Sequence, residues 1–142
     1  MVSVRVEVLV GVRPEEAWAA IADVGAVHKH LLPGRVTDVR MDGDIRILTM
    51  PDGTEIRELI VAVDHEARRM AYAVLGGQRM ALSHHHASFQ VFDDPDRENH
   101  CRVVWVTDIL PHCLEAEVRA RVERGAVEIK EAIEVAAIRH GV

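Results

Sequence analysis

The sequence predicts an α+β domain in which a run of antiparallel strands is closed by one long helix. Three patterns predict it. Residues 112–140 carry apolar side chains at Leu114, Val118, Val122, Ala126, Ile129, Ile133, Ala136 and Ala137, and their steps of three and four draw one stripe along a helix. From Arg35 to Leu110 the chain reads instead as strand after strand, joined by turns too short for parallel crossovers. A single sheet cannot bury its apolar face alone, so the closing helix is the partner that this order supplies.

The chain opens on strict alternation, with Val2, Val4, Val6, Val8 and Val10 on one face of a half-buried strand and Ser3, Arg5, Glu7 and Leu9 on the other. Pro14 suits a first helical turn, and Glu15 and Glu16 follow where the helix dipole favours acids. Ala17, Trp18, Ile21 and Ala22 give that helix an apolar face. After Asp23, a second short helix is expected over Val24–Leu32, ended by Pro33-Gly34. Strands are expected over Arg35–Met41, Ile45–Met50, Thr54–Val63, Arg69–Leu75, Arg79–Phe92 and Cys101–Leu110. Between them stand turn signals: Asp42-Gly43-Asp44, Pro51-Asp52-Gly53, Asp64 to Arg68, Gly76-Gly77 and the polar loop Asp93 to His100. Pro111 opens the last helix. Inside it, Gly125 costs about 1 kcal/mol relative to alanine. Either the helix packs closely against a strand there, or the missing side chain makes room for a ligand.

With 142 residues the chain is one domain, 1–142, large enough for a real core. Its 49% hydrophobic and 28% charged residues mark a folded globular protein rather than a disordered one. A net charge of −6 without a basic run argues against a nucleic-acid partner. No apolar stretch reaches the length of a membrane span, and no charged-then-apolar leader precedes the first strand, so a cytoplasmic protein is expected. Cys101 and Cys113 do not make a disulfide framework. Cys113 follows His112 at a helix start, but reads first as an inert small residue.

The segment Trp18-Ala-Ala-Ile21-Ala-Asp23 resembles the first-helix signature of the START-like (SRPBCC, helix-grip or Bet v 1-like) superfamily, in its polyketide cyclase/dehydrase-like branch. Gly53 to Leu59, with Asp64 and Arg69-Met-Ala-Tyr72, looks like its central hairpin, and Cys101-Arg-Val-Val-Trp105 like its last strand. The resemblance covers the whole chain. It implies a helix-grip fold, with a seven-stranded antiparallel sheet curved around the C-terminal helix, two short helices between strands 1 and 2, and an internal apolar cavity. Members of the superfamily bind lipids, plant hormones, polyketides or other hydrophobic ligands, and a minority are enzymes. Pro51-Asp52-Gly53 falls where plant abscisic-acid receptors of the superfamily carry a gating loop, and Gly76-Gly77-Gln78-Arg79 where they carry a latch.

Strand alternation assigns faces. Arg46, Leu48 and Met50 share one side, as do Ile56, Glu58, Ile60 and Ala62 on the next strand. Met70, Tyr72 and Val74 follow, then Ser83, His85, Ala87, Phe89 and Val91, then Val103, Trp105, Thr107 and Ile109. Most are apolar enough to be core. The informative members are therefore Arg46, Glu58, Tyr72, Ser83 and His85, because a buried charge must be paired or wet. Arg46 and Glu58, on neighbouring strands, have the spacing of a cross-strand pair. The expected ligand wall combines Arg46, Leu48, Glu58, Ile60, Tyr72, Ser83, His85, Phe89 and Trp105 from the sheet with Val118, Val122, Gly125 and Ile129 from the helix.

In the run His84-His85-His86, alternate residues point to opposite faces, so the strand disfavours all three as ligands of one ion and leaves His84 and His86 as the pair that could share one. No Asp or Glu at a recognisable spacing completes a two-histidine site, and neither metal nor cofactor is expected. A nucleophile elbow, a phosphate loop and a CxxC pair are all missing from the sequence. The expected function is binding of a small hydrophobic molecule, such as a lipid, polyketide or other aromatic or isoprenoid-like compound, between sheet and helix. The alternative is a cyclase or dehydratase that uses His85, Glu58 and Tyr72 as acid and base. Val104 and Val106, beside Arg102 and Asp108, make the outer face of the last strand apolar enough for a homodimer, which either function accommodates.

Overall fold

In the computed structural model, which describes residues 2–77 and 80–140, β1 (Val2–Val10) leads into α1 (Pro14–Ala22). A 3-10 turn (Val24–Ala26) and α2 (Val27–His30) follow. The chain then runs through β2 (Asp38–Asp42), β3 (Ile45–Thr49), β4 (Glu55–Asp64), β5 (Arg69–Gly76), β6 (His84–Asp93) and β7 (Cys101–Leu110). A 3-10 turn at His112–Leu114 leads into α3 (Glu115–His140). The seven strands form one sheet in the order β1-β7-β6-β5-β4-β3-β2, with every pair antiparallel. β1 and β2 thus lie at opposite edges, and α1 and α2 carry the chain across. This is the α+β architecture expected from the sequence.

Three boundaries differ. The second helix is a single turn after a 3-10 turn, because the backbone breaks at Ala26 (φ −129°). β2 begins at Asp38, after a turn in which Gly34 takes φ +84°. β6 begins at His84, five residues later than expected, and Ser83 meets the sheet only through its backbone N–H, which donates to Leu110 O at 2.8 Å. Of the segment compared with a latch, Gln78 and Arg79 lie outside the described residues. In the β3–β4 turn, Gly53 takes φ +87°, a conformation open to glycine, and its N–H donates to Met50 O at 2.9 Å.

Two register shifts in β4, at Arg57/Glu58 and at Ile60/Ala62, bend the sheet. The second corrects the expected faces: Ile60 lies opposite Tyr72, but Ala62 lies opposite Ala71, so the two do not share a side.

The curved face receives α3. Val118, Val122, Ala126, Ile129 and Ile133 of the expected stripe are all buried. Each valine or isoleucine among them contributes roughly 1.5–3 kcal/mol on full burial. The stripe divides between two apolar clusters. Val118 and Val122 pack with Val4 and Ile109, whereas Ile129 and Ile133 join Trp18, Ile21, Tyr72 and Phe89. Trp105 touches both clusters. Polar ties fix the helix along its length. Glu134 accepts from Gly11 N–H at 2.7 Å and from Lys130 at 2.6 Å, and Arg35 grips Glu128 with Nε at 2.6 Å and Nη2 at 2.5 Å.

On the outer face, Val104 is buried between its neighbours Glu7 and Gln90. The exposed apolar side chains of the sheet include Leu59, Val61 and Leu75, on β4 and β5 instead.

Candidate functional site

Register places Arg46 of β3 directly opposite Glu58 of β4. The guanidinium donates to Glu58 Oε1 from Nε at 3.0 Å and from Nη2 at 2.6 Å. Its Nη1 donates to Val24 O at 3.2 Å, in the turn between the short helices. The two side chains are only 3% and 12% exposed, so each charge depends on the other for compensation. Burial pushes the Glu58 carboxyl above its ordinary range, and the Arg46 charge and hydrogen bonds pull it back without cancelling the rise.

Tyr72 of β5 comes next across the sheet. Its ring centroid lies 5.4 Å from the Arg46 guanidinium carbon, a cation–π contact. Tyr72 stands 6.4 Å from His85 and 6.3 Å from Phe89, and Phe89 stacks on Trp105 at 4.6 Å. A continuous row thus crosses five strands. Burial, aided by the Glu58 carboxylate, drives the Tyr72 phenol well above its ordinary value, and the Arg46 charge opposes that rise. The Trp105 indole N–H lies near enough to Tyr72 to oppose it slightly as well, but makes no hydrogen bond with proper geometry. Burial and the flanking His84 and His86 push the His85 imidazole down to about 4, so it is neutral at pH 7.

Between this row and α3 lies a cavity of about 160 Å³, lined by Tyr72, Met80, His85, Trp105, Val118, Arg121 and Val122. Five of the expected wall residues therefore meet: Tyr72, His85, Trp105, Val118 and Val122. Arg46 and Glu58 adjoin the wall through Tyr72 but do not line it. Leu48, Ile60, Phe89 and Ile129 are packed in the main apolar cluster. Ser83 departs from expectation: it precedes β6 and is exposed.

Gly125 needs a correction of a different kind. A Cβ built on it would stand 3.1 Å from Cζ3 and 3.2 Å from Cη2 of Trp105. The indole occupies the space that the glycine leaves, so the residue permits close packing and does not open the cavity. Met80 and Arg121 line the cavity although the sequence did not single them out. Arg121 follows Val118 by three positions and flanks the apolar stripe, a signal that helical spacing carries.

His84 is exposed on β6, and His86 Nδ1 lies 3.9 Å from Asp108 Oδ2. Among the described residues, no three His, Cys, Asp or Glu side chains are grouped to hold a metal ion. Cys101 is buried with its thiol pushed up to about 11 by burial, whereas Cys113 is exposed.

A second hollow is larger. An open cleft of about 1060 Å³ runs along α3, between the α2–β2 connection and the β3–β4 turn. It contains none of the inward polar row, and among the described residues Arg121 alone borders both hollows.

The family model described as polyketide cyclase / dehydrase and lipid transport matches residues 1–134. No curated protein matches the sequence. Among solved structures, the chain is similar to XoxI from Bacillus cereus, with a TM-score of 0.82 and 18% identity over 100% of this chain and 99% of that one. It is similar to a protein from Thermobifida fusca, with a TM-score of 0.75 and 23% identity over 96% and 94% of the two chains. Norcoclaurine synthase from Thalictrum flavum, solved with dopamine and hydroxybenzaldehyde, gives a TM-score of 0.74 and 20% identity over 98% and 87%. At these identities the likeness establishes a shared fold.

Proposed function

Because the chain belongs to the polyketide cyclase / dehydrase and lipid transport family, we propose that it binds a small hydrophobic molecule in the cavity between the sheet and α3. The observation that carries this reading is the cavity's lining: aromatic and aliphatic side chains with a few polar groups at one wall, the usual makeup of a ligand pocket. Its volume of about 160 Å³ is near that of an apolar cavity that takes up one benzene-sized ring. The buried group is therefore ring-sized. A longer ligand extends past Met80 and Arg121, whose side chains have the freedom to move aside. The unpartnered Trp105 N–H is a donor that a ligand carbonyl or hydroxyl can satisfy.

Native mass spectrometry and thermal-shift measurements against lipids, polyketides and single-ring aromatics test this reading. One-to-one binding that is lost in Val122→Phe, which fills the cavity, is the expected result. Binding that is equally tight in the filled variant would rule the cavity out.

The second reading, acid–base catalysis, rests on Tyr72 and His85 facing one cavity. It ranks lower on chemical grounds. A base with a value of about 4 is weak at pH 7, and the Glu58 carboxylate is already engaged by Arg46. Turnover of a polyketide substrate that disappears in both Tyr72→Phe and His85→Ala would reverse the ranking.

A further inference from the structure

The open cleft along α3 has no part in that reading, and its charge departs from that of the protein around it. The chain carries a net charge of −6. The cleft lining nevertheless holds four cations, Lys29, Arg35, Arg121 and Arg139, against two carboxylates, Glu128 and Glu131. Arg35 and Glu128 neutralise each other through a two-pronged bridge, with contacts of 2.6 and 2.5 Å. Three cations and one carboxylate then face whatever enters. Arg121 has a loose contact with Glu117 at 3.7 Å. Lys29, on α2, and Arg139, near the end of α3, have no ion-pair partner among the described residues, and both are exposed.

The rest of the lining is mostly apolar. Leu32 and Pro33 come from the α2–β2 connection, Met50 from just after β3, and Ala132, Val135 and Ala136 from α3. Val135 is 47% exposed, although a valine at this point of the helix would be covered if the cleft were closed. A cleft lined by apolar side chains and an excess of cations is the complement of a molecule with a hydrocarbon chain and a negative head.

We propose that this cleft binds a free single-chain amphiphile with an anionic head, the chain lying along the Ala132–Val135 side of α3 and the head taken by Lys29 and Arg139. The site shares Arg121 with the interior cavity but requires nothing of Tyr72, His85 or Trp105.

The test is titration of the whole protein with dodecanoate, dodecyl phosphate, dodecanol and dodecyltrimethylammonium, all below their micelle concentrations, by calorimetry. The two anions should bind at least about tenfold tighter than the alcohol or the cation, and their affinity should fall with added salt. Lys29→Glu combined with Arg139→Glu should weaken dodecanoate by about tenfold or more while thermal melts remain cooperative; both side chains are exposed, and Lys29→Ala with Arg139→Ala gives a milder check on folding. Val122→Phe, which fills the interior, should leave dodecanoate binding intact. Equal binding of dodecanol and dodecanoate would overturn the proposal, as would unchanged binding in the charge-reversed variant or loss of binding in Val122→Phe. Sedimentation with phosphatidylglycerol vesicles but no binding of free dodecanoate would overturn it too, by making the cleft a membrane-facing surface. Failure of the interior reading, seen as no ring-sized ligand bound, leaves the dodecanoate result unaffected.

Discussion

The six-membered ring of Trp105 sits where a side chain on Gly125 would stand, 3.1–3.2 Å from a Cβ built there. α3 therefore approaches the sheet closely at the indole, and the same ring is stacked on Phe89 at 4.6 Å. Gly125→Leu must displace Trp105 and disturb that stack. Overpacking of this kind costs about 1–3 kcal/mol, beyond the roughly 1 kcal/mol that a glycine replacement returns in helix propensity. A lower denaturation midpoint with altered near-ultraviolet circular dichroism of the tryptophans is expected. An unchanged midpoint would mean that the ring is free to move.

Arg46 and Glu58 should behave as a unit. Removing one charge leaves the other buried without compensation, so Arg46→Met and Glu58→Leu should each cost about 3–5 kcal/mol. The double variant Arg46→Met/Glu58→Leu should recover most of that loss, because apolar replacements of a buried pair are often neutral. Urea unfolding of the four proteins gives the coupling directly. Additive losses would contradict a coupled pair.

His85 sets a pH dependence of defined sign. Its value is about 4 in the folded protein against 6.5 for the free side chain, so the unfolded chain takes up a proton first as pH falls. The stability held above pH 6.5 is lost as pH drops from 6.5 toward 4, and the loss levels off below 4. It amounts to about 3 kcal/mol from this residue. Comparison with His85→Phe isolates the contribution: the difference between the two stability curves should change across that window and be flat on either side. A proton-resonance titration midpoint for His85 near 6.5 would exclude the effect.

Gly77 takes φ +88°, and a Cβ there would fall 2.0 Å from the carbonyl oxygen of Glu55. Backbone cannot yield as a side chain can. Gly77→Ala should therefore cost about 2 kcal/mol or more, read as a lowered thermal midpoint. Gly76→Ala, which meets nothing within 4 Å, is the control and should change little.

The meander was legible because each turn carries its own chemistry and each strand its period. Arg46 facing Glu58 was legible for the same reason, since alternation puts both inward and neither charge can stay there alone. The bulge at Ile60/Ala62 was not, because a side-chain pattern of Ile60-Val61-Ala62-Val63 reads equally well in either register. Ser83 was placed inward by extending β6 back to Arg79, and no turn residue between Gly77 and His84 warned against it. Gly125 alone admitted close packing or an opening, and the choice depended on where Trp105 lies across the sheet. The outer cleft was invisible, because its walls come from three stretches distant in sequence, two of them tied by the Arg35–Glu128 bridge.

The pairing of β1 with β7 also orders events in time. Val2 lies opposite Ile109 and Val10 opposite Cys101, so β1 waits for a strand that is made about ninety residues later. While the ribosome is still making residues 11–100, the edge of β1 that β7 will take has no strand to join, and closing so long a loop makes this pairing a slow step. A nascent chain arrested before Cys101 would leave that edge open to chaperones, and the valine face stays uncovered until α3 follows β7 and brings Val118 and Val122 against Val4.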